Sequence, residues 1–126
     1  MLSFKDAEAL YATARDKEAG KPLENNTRLY RRSSWDGDSY YYAVQLHYTD
    51  VVEIYRDGRY VLNSGGWQTL TTKDRISKYG AGQICQRAFV WYWHPEGAWD
   101  ESKLVTFESG MEVTMLRRVN QKEYSL

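Results

Sequence analysis

The sequence predicts an α+β fold, and three observations carry that prediction. Apolar residues recur at helical spacing near the N-terminus, and from Thr27 onward the period changes to two. The turns between the extended stretches are only about two to five residues long, too short for the crossovers that parallel strands need. Tyr (11), Trp (5) and Phe (3) make up 15% of the chain, and such residues fit pleated, half-buried surfaces. The expected architecture is a mostly antiparallel, bent sheet of about six or seven strands, with an N-terminal helix and one short internal helix on one face. At 126 residues a second core would be starved of side chains, so residues 1–126 are expected to form a single domain. Its parts are a helix over 1–20, a β-rich body over 27–116 and a frayed tail over 117–126.

In the first segment, Phe4, Ala7, Leu10, Tyr11 and Ala14 fall on one helical face. Ser3 with Asp6 resembles a capping box, and Gly20 and Pro22 supply the stop signals. Thr27 to Ser33 alternates, and turn chemistry follows around Asp36-Gly37. Ser39 to Tyr48 is the strongest strand pattern. Tyr40, Tyr42, Val44, Leu46 and Tyr48 form the face expected to be buried, and Tyr41, Ala43, Gln45 and His47 the half-wet one. Asp57-Gly58 marks a hairpin between Val51–Arg56 and Arg59–Asn63. Trp67 to Leu70 reads as a short extended piece, Thr71 with Asp74 as a helix start, and Gly80 as the cap of that helix. Ile84 to Trp93 reads as one central strand, and Lys103–Phe107 with Met111–Leu116 as a last hairpin.

Composition excludes several classes. Seventeen basic against seventeen acidic residues give a formal net charge of +0, so no polybasic coat for nucleic acid or membrane is present. Cys85 is the lone cysteine, which rules out an intrachain disulfide scaffold. The N-terminus lacks an apolar signal core, and no apolar run approaches the ~20 residues of a membrane span. A cytoplasmic protein is expected.

The residues offer little catalytic chemistry. His47, Cys85 and His94 are scattered rather than spaced as zinc ligands, so no metal and no cofactor are expected. Asp36-Gly37-Asp38 reads as a turn, and Asn63-Ser64-Gly65-Gly66 precedes no Lys-Ser/Thr helix start of the phosphate-loop kind. An enzyme using His94 with Asp36 and Asp38 is a minority reading, and the chain is expected not to be an enzyme.

Binding is better supported. Arg28, Tyr30, Arg31 and Arg32 cluster on one strand, and Lys73, Arg75 and Lys78 ride the internal helix. Cations interleaved with rings are what single-stranded nucleic-acid binders use, because every base has a π-face. The aromatic excess points more strongly to protein recognition, since Trp, Tyr and Arg dominate interface hot spots. Trp35 and Trp99 beside Asp36, Asp100 and Glu101 are the expected partner-binding residues. Trp67, by contrast, is expected to be a buried wedge touching Ile76 or Tyr79 and the face that carries Leu46 and Leu62.

The run His47-Tyr48-Thr49-Asp50-Val51-Val52, then Asp57-Gly58, then Leu62-Asn63-Ser64-Gly65-Gly66-Trp67-Gln68-Thr69-Leu70-Thr71-Thr72-Lys73-Asp74-Arg75-Ile76 resembles a group of small bacteriophage and prophage proteins. Their shared core is similar to LHxTDVV…DG…LNSGGWxTxTTKDRI, and the likeness covers roughly residues 43 to 79. The resemblance implies phage origin and action in the host cytoplasm. It further implies a stoichiometric binder or inhibitor of a host protein or nucleoprotein complex, an anti-defence role being its sharpest form. It transfers no catalytic residue. Single-stranded nucleic-acid binding is the alternative, and association with further copies of the chain stays open.

Overall fold

The structure, a computed structural model, describes residues 1–119. Most of the segment expected to fray, residues 120–126, lies outside the described residues. Helix α1 (Phe4–Ala12) is followed by five strands, β1 (Lys21–Glu24), β2 (Thr27–Ser33), β3 (Tyr40–Leu46), β4 (Thr49–Ile54) and β5 (Tyr60–Leu62). Helix α2 (Leu70–Tyr79) leads into β6 (Gln83–Arg87) and β7 (Val90–His94). A 3-10 turn at Glu101–Lys103 precedes β8 (Val105–Thr106) and β9 (Met111–Val113). The fold is α+β with two antiparallel sheets, one of six strands ordered β1-β2-β3-β4-β5-β9 and one of three ordered β6-β7-β8.

Register shows what the large sheet is built around. Leu29 pairs with Val44, Val44 with Val52, Val52 with Leu62, and Leu62 with Met111. This apolar rung crosses five strands, and none of its members is more than 1% exposed. A second rung runs Tyr42, Ile54, Tyr60 and Val113 beside it. Because side chains alternate across a strand, both rungs lie on the same face, and that face must be covered. Helix α1 covers one end: Phe4 and Tyr11 pack on Tyr42 with ring centroids 5.2 and 5.8 Å apart. Helix α2 contributes Ile76, and at its end the backbone of Gly80 approaches so closely that a Cβ would meet the Ile76 carbonyl oxygen at 2.7 Å and Leu62 at 2.8 Å. The small sheet adds Ile84, Trp91 and Trp93 to the same core. The Trp93 indole N–H donates to the Ala81 carbonyl at 2.8 Å inside the protein.

Several elements differ from the sequence expectation, each for a local reason. Helix α1 stops at Ala12 rather than near Gly20, because the Lys17 ammonium folds back onto the carbonyls of Tyr11, Ala12 and Ala14 at 2.9–3.0 Å. Strand β1 holds Pro22, which an edge strand tolerates because one side of its backbone needs no donor. Helix α2 is capped by Thr69, whose hydroxyl accepts from the Thr72 N–H at 3.1 Å, and not by the Thr71–Asp74 pair. Ile84–Trp93 is a hairpin instead of one strand. The chain reverses at Ala88 (φ +48°) and Phe89 (φ +66°), where neither residue is a usual former of that turn. The expected last hairpin is also absent, because β8 joins the small sheet on β7 while β9 closes the large sheet on β5.

The largest correction concerns Trp67. It is 68% exposed and not a buried wedge, whereas Trp93 is 1% exposed and fills the core. Trp93→Ala is therefore expected to cost about 3–5 kcal/mol in thermal or denaturant unfolding, the range for a buried aromatic. Trp67→Ala should stay within about 0.5 kcal/mol, as for other surface substitutions. Equal losses would contradict this division. A second expectation concerns alkaline pH. Tyr60 is 5% exposed with its hydroxyl donating to the Leu2 carbonyl at 2.9 Å, and burial pushes its phenol up to about 12. Its folded-state value lies above the unfolded one, so its contribution is intact below about pH 10 and is lost as pH rises through 12, by about 3 kcal/mol in all. Tyr60→Phe should flatten that stretch of the stability–pH curve.

Candidate functional site: an uncharged cleft at the end of the large sheet

The β3–β4 turn, the loop before α2 and the first turn of α2 enclose a cleft of about 500 Å³. Leu46, Val51, Ser64, Trp67, Thr69 and Thr72 are among its lining residues, with His47, Tyr48, Thr49 and Thr71. The chain leaves β3 sharply because His47 adopts φ +56° while its N–H bonds to the Asn26 carbonyl at 2.8 Å. That turn throws Tyr48 outward to 98% exposure, although strand alternation had placed it with the buried residues. A bulge follows. Val44 pairs with Val52 and Gln45 with Asp50, so Val51 is the extra residue and turns inward to 1% exposure.

The loop on the other side is held by its own polar groups. The Asn63 carboxamide oxygen accepts from the Gly65 N–H at 2.9 Å and from the Ser109 hydroxyl. Ser109 Oγ in turn accepts from the Ser64 N–H at 3.0 Å. Gly65 is required here, because at φ +63° a Cβ would sit 2.8 Å from the Thr49 side chain. The Trp67 N–H then bonds to the Ser64 carbonyl at 3.0 Å, which leaves the indole standing at the cleft wall. Leu70, the first residue of α2, is 77% exposed and does not line the cleft. Among the described residues, no Asp, Glu, Lys or Arg lines the cleft. It is an apolar hollow with hydroxyls at its rim, suited to receive an uncharged group.

The residues singled out from the sequence fall in separate places. Trp35 is 99% exposed in the β2–β3 turn, where Asp36 accepts from the Asp38 N–H at 3.0 Å. Trp99, Asp100 and Glu101 lie together beyond β7. Trp99 stacks on His94 at 4.7 Å, Arg87 lies over its indole at 5.5 Å, and Arg87 pairs with Glu101. Asp100 caps the 3-10 turn, and the Ser102 hydroxyl and N–H hold its carboxylate below the usual range. The two tryptophans thus extend from different sheets, Trp35 from the β2–β3 turn and Trp99 from the segment after β7. His94 is 3% exposed, with Nδ1 facing the Pro95 carbonyl at 2.6 Å and Nε2 accepting from the Asp100 N–H at 2.9 Å. Its ring organises the loop that carries Trp99, and neither nitrogen is left to act as a base with Asp36 and Asp38.

The basic cluster divides as well. Arg28, Tyr30 and Arg32 share the outer face of the large sheet, while Arg31 lies on the opposite one, over the rings of Tyr11 and Tyr40 at 5.4 and 5.3 Å. Arg32 makes a two-pronged pair with Asp50 at 2.8 and 3.1 Å and covers Tyr30. Arg75 bonds to Asp74, Glu24 and the Thr27 hydroxyl, and Lys78 reaches Glu24 at 3.0 Å. The Tyr79 hydroxyl and Lys78 together hold the Glu24 carboxylate below its usual range. Arg32, Arg75 and Lys78 are thus paired with carboxylates within the protein, while Arg28 bonds to the Ala19 carbonyl at 3.1 Å. Lys73 stands next to the cleft residue Thr72 on α2.

The cleft itself escaped the sequence reading. Tyr48 and Trp67 carry no chemical motif, and the one available signal was the resemblance to phage proteins, whose run includes the cleft residues His47, Tyr48, Thr49, Val51, Ser64 and Trp67. Among the described residues no group of three or more His, Cys, Asp or Glu is placed to hold a metal ion, and no helix is long and apolar enough to cross a membrane.

Comparison with known proteins returns one family. No curated protein and no solved structure matches the chain. The family model described as Kyanoviridae Gp96 protein matches residues 6–114, well beyond the stretch in which the phage resemblance was visible and including both sheets, α2 and all but the first two residues of α1. The chain therefore belongs to the Kyanoviridae Gp96 protein family, a family of phage proteins.

Proposed function

We propose that this phage protein acts as a stoichiometric binder and inhibitor of a host protein or nucleoprotein complex, with its uncharged cleft as the acceptor for an apolar anchor on that partner. One observation carries the reading: Tyr48 and Trp67 stand 98% and 68% exposed at the wall of a hollow that, among the described residues, no Asp, Glu, Lys or Arg lines. A buried anchor in such a hollow is the usual centre of an interface hot spot, and exposed rings around it exclude water. Action against a host defence complex is the form we favour, and it draws on membership of a phage protein family. Arg87, Trp99 and Glu101 form a second, charged surface at the small sheet, where a cation and a carboxylate flank an exposed indole.

The alternative, single-stranded nucleic-acid binding, has a narrower base. A shallow hollow of about 280 Å³ between Arg28, Tyr30, Gln45 and Tyr48 offers a cation beside rings. Against it stand the carboxylate partners of Arg32, Arg75 and Lys78, which compete with phosphate.

Affinity capture from a bacterial host lysate tests the leading reading, with Trp67→Ala combined with Tyr48→Ala as the control. The expected result is one host protein recovered at near-stoichiometric level by the unaltered chain and lost with the double variant, whose melting temperature is unchanged. Equal recovery by both, or none, contradicts it. Tight, steeply salt-dependent binding of a labelled oligonucleotide would favour the alternative.

A further inference from the structure

We infer that the β6–β7 hairpin of one copy inserts Phe89 into the cleft of a second copy, so that the protein self-associates. The inference rests on the reading of the cleft as an acceptor of apolar side chains, and it names an occupant that the chain itself supplies.

The hairpin tip breaks local rules in a way that turn chemistry does not explain. Two-residue reversals of this kind require positive φ at both central positions, and Asn or Gly normally occupies them. Here they are Ala88 and Phe89, at +48° and +66°. A bulky residue in the left-handed region is strained, because its Cβ crowds the following carbonyl. Phe89 gains no burial in return: its ring is 90% exposed, and Val90 beside it is 41% exposed. A strained backbone that holds an apolar ring in water is a reason to look for a surface that receives it.

That surface is present on the same molecule. The cleft is larger than one phenyl ring, apolar at its floor through Leu46 and Val51, and open beside Trp67. Phe89 does not enter its own cleft, as its exposure shows. Neither feature carries charge, since Ala88, Phe89 and Val90 are apolar and, among the described residues, no Asp, Glu, Lys or Arg lines the cleft. The charges around both features are of mixed sign: Asp50, paired with Arg32, follows the cleft residue Thr49, Lys73 and Asp74 follow Thr72 on α2, and Arg87 pairs with Glu101 at the hairpin. With a formal net charge of +0, two copies also lack the general repulsion that keeps highly charged proteins apart. The contact joins unlike surfaces, so it is made either reciprocally in a pair or successively along a chain of copies.

Sedimentation equilibrium of the full chain, alone and in mixtures, tests the inference. Phe89→Gly removes the ring and relieves the turn, so the variant should fold with an unchanged or higher melting temperature. Thr71→Glu places a carboxylate in the cleft from an exposed helix position, and an acidic residue in the first turn is compatible with the helix dipole. Each variant alone should associate at least about tenfold more weakly than the unaltered chain. Mixed, they should form a one-to-one complex, because the first retains its cleft and the second its Phe89. The inference is overturned if the unaltered chain stays monomeric up to ~100 μM. It is equally overturned if Phe89→Gly associates normally, or if the mixture fails to complement. Host-protein capture by a monomeric chain would leave the proposed function standing while removing the self-association.

Discussion

The rest of the molecule depends on the five-strand rung Leu29–Val44–Val52–Leu62–Met111. A sheet with such a row on one face cannot leave it wet: each of these side chains is worth roughly 1.5–3 kcal/mol when fully buried. Its cover comes from three pieces that are separate in sequence, namely α1, α2 and the small sheet. The third piece is pinned by Trp93, whose indole both fills the core and bonds to the Ala81 carbonyl. Gly82 shows how tight that joint is. At φ +80° a Cβ there would lie 2.4 Å from the His94 carbonyl oxygen and 2.5 Å from Trp93 Nε1, so only glycine permits the approach.

Both functional features are by-products of this arrangement. The cleft forms where the sheet outruns its cover: β3 ends at Leu46, α2 begins only at Leu70, and the loop between Asn63 and Thr69 arches over the gap. The bulge at Val51 gives that gap an apolar floor. The hairpin projects at the other end of the small sheet because β6 and β7 need only their buried halves, Ile84 with Trp93 and Trp91, to dock. Their tip is then released from packing and carries an exposed phenyl ring.

What was legible in the sequence follows from which signals are local. The period of two over Thr27–Ser33 and Tyr40–Leu46, the Asp57-Gly58 turn and the helical face of Phe4, Ala7 and Tyr11 are local, and they gave the fold class and most of the large sheet. The hairpin at Ala88-Phe89 was illegible because its turn uses neither Gly nor Asn, so the flanking apolar runs fuse into one apparent strand. The separation of β8 from β9 is a long-range choice that no turn residue announces. The exposure of Trp35 and the contact set of Trp99 agree with a loop reading, yet Trp67 reversed its expected place. Its neighbours Gly65 and Gly66 do permit a tight approach. What fills the joint between α2 and the sheet, however, is the bare backbone of Gly80 against Leu62, which leaves no room for an indole.

The central claim is that one core, closed by Trp93, unites the two sheets and so fixes both the cleft and the hairpin. Native-state hydrogen exchange of the Trp93 indole N–H, measured beside the β3–β4 amides, tests it most directly. A single cooperative core predicts that the indole proton exchanges only through global unfolding, with the same opening free energy and the same denaturant dependence as Val44 and Val52. Exchange of Trp93 at markedly lower free energy, while those amides stay protected, would show that the small sheet opens on its own and would contradict the account.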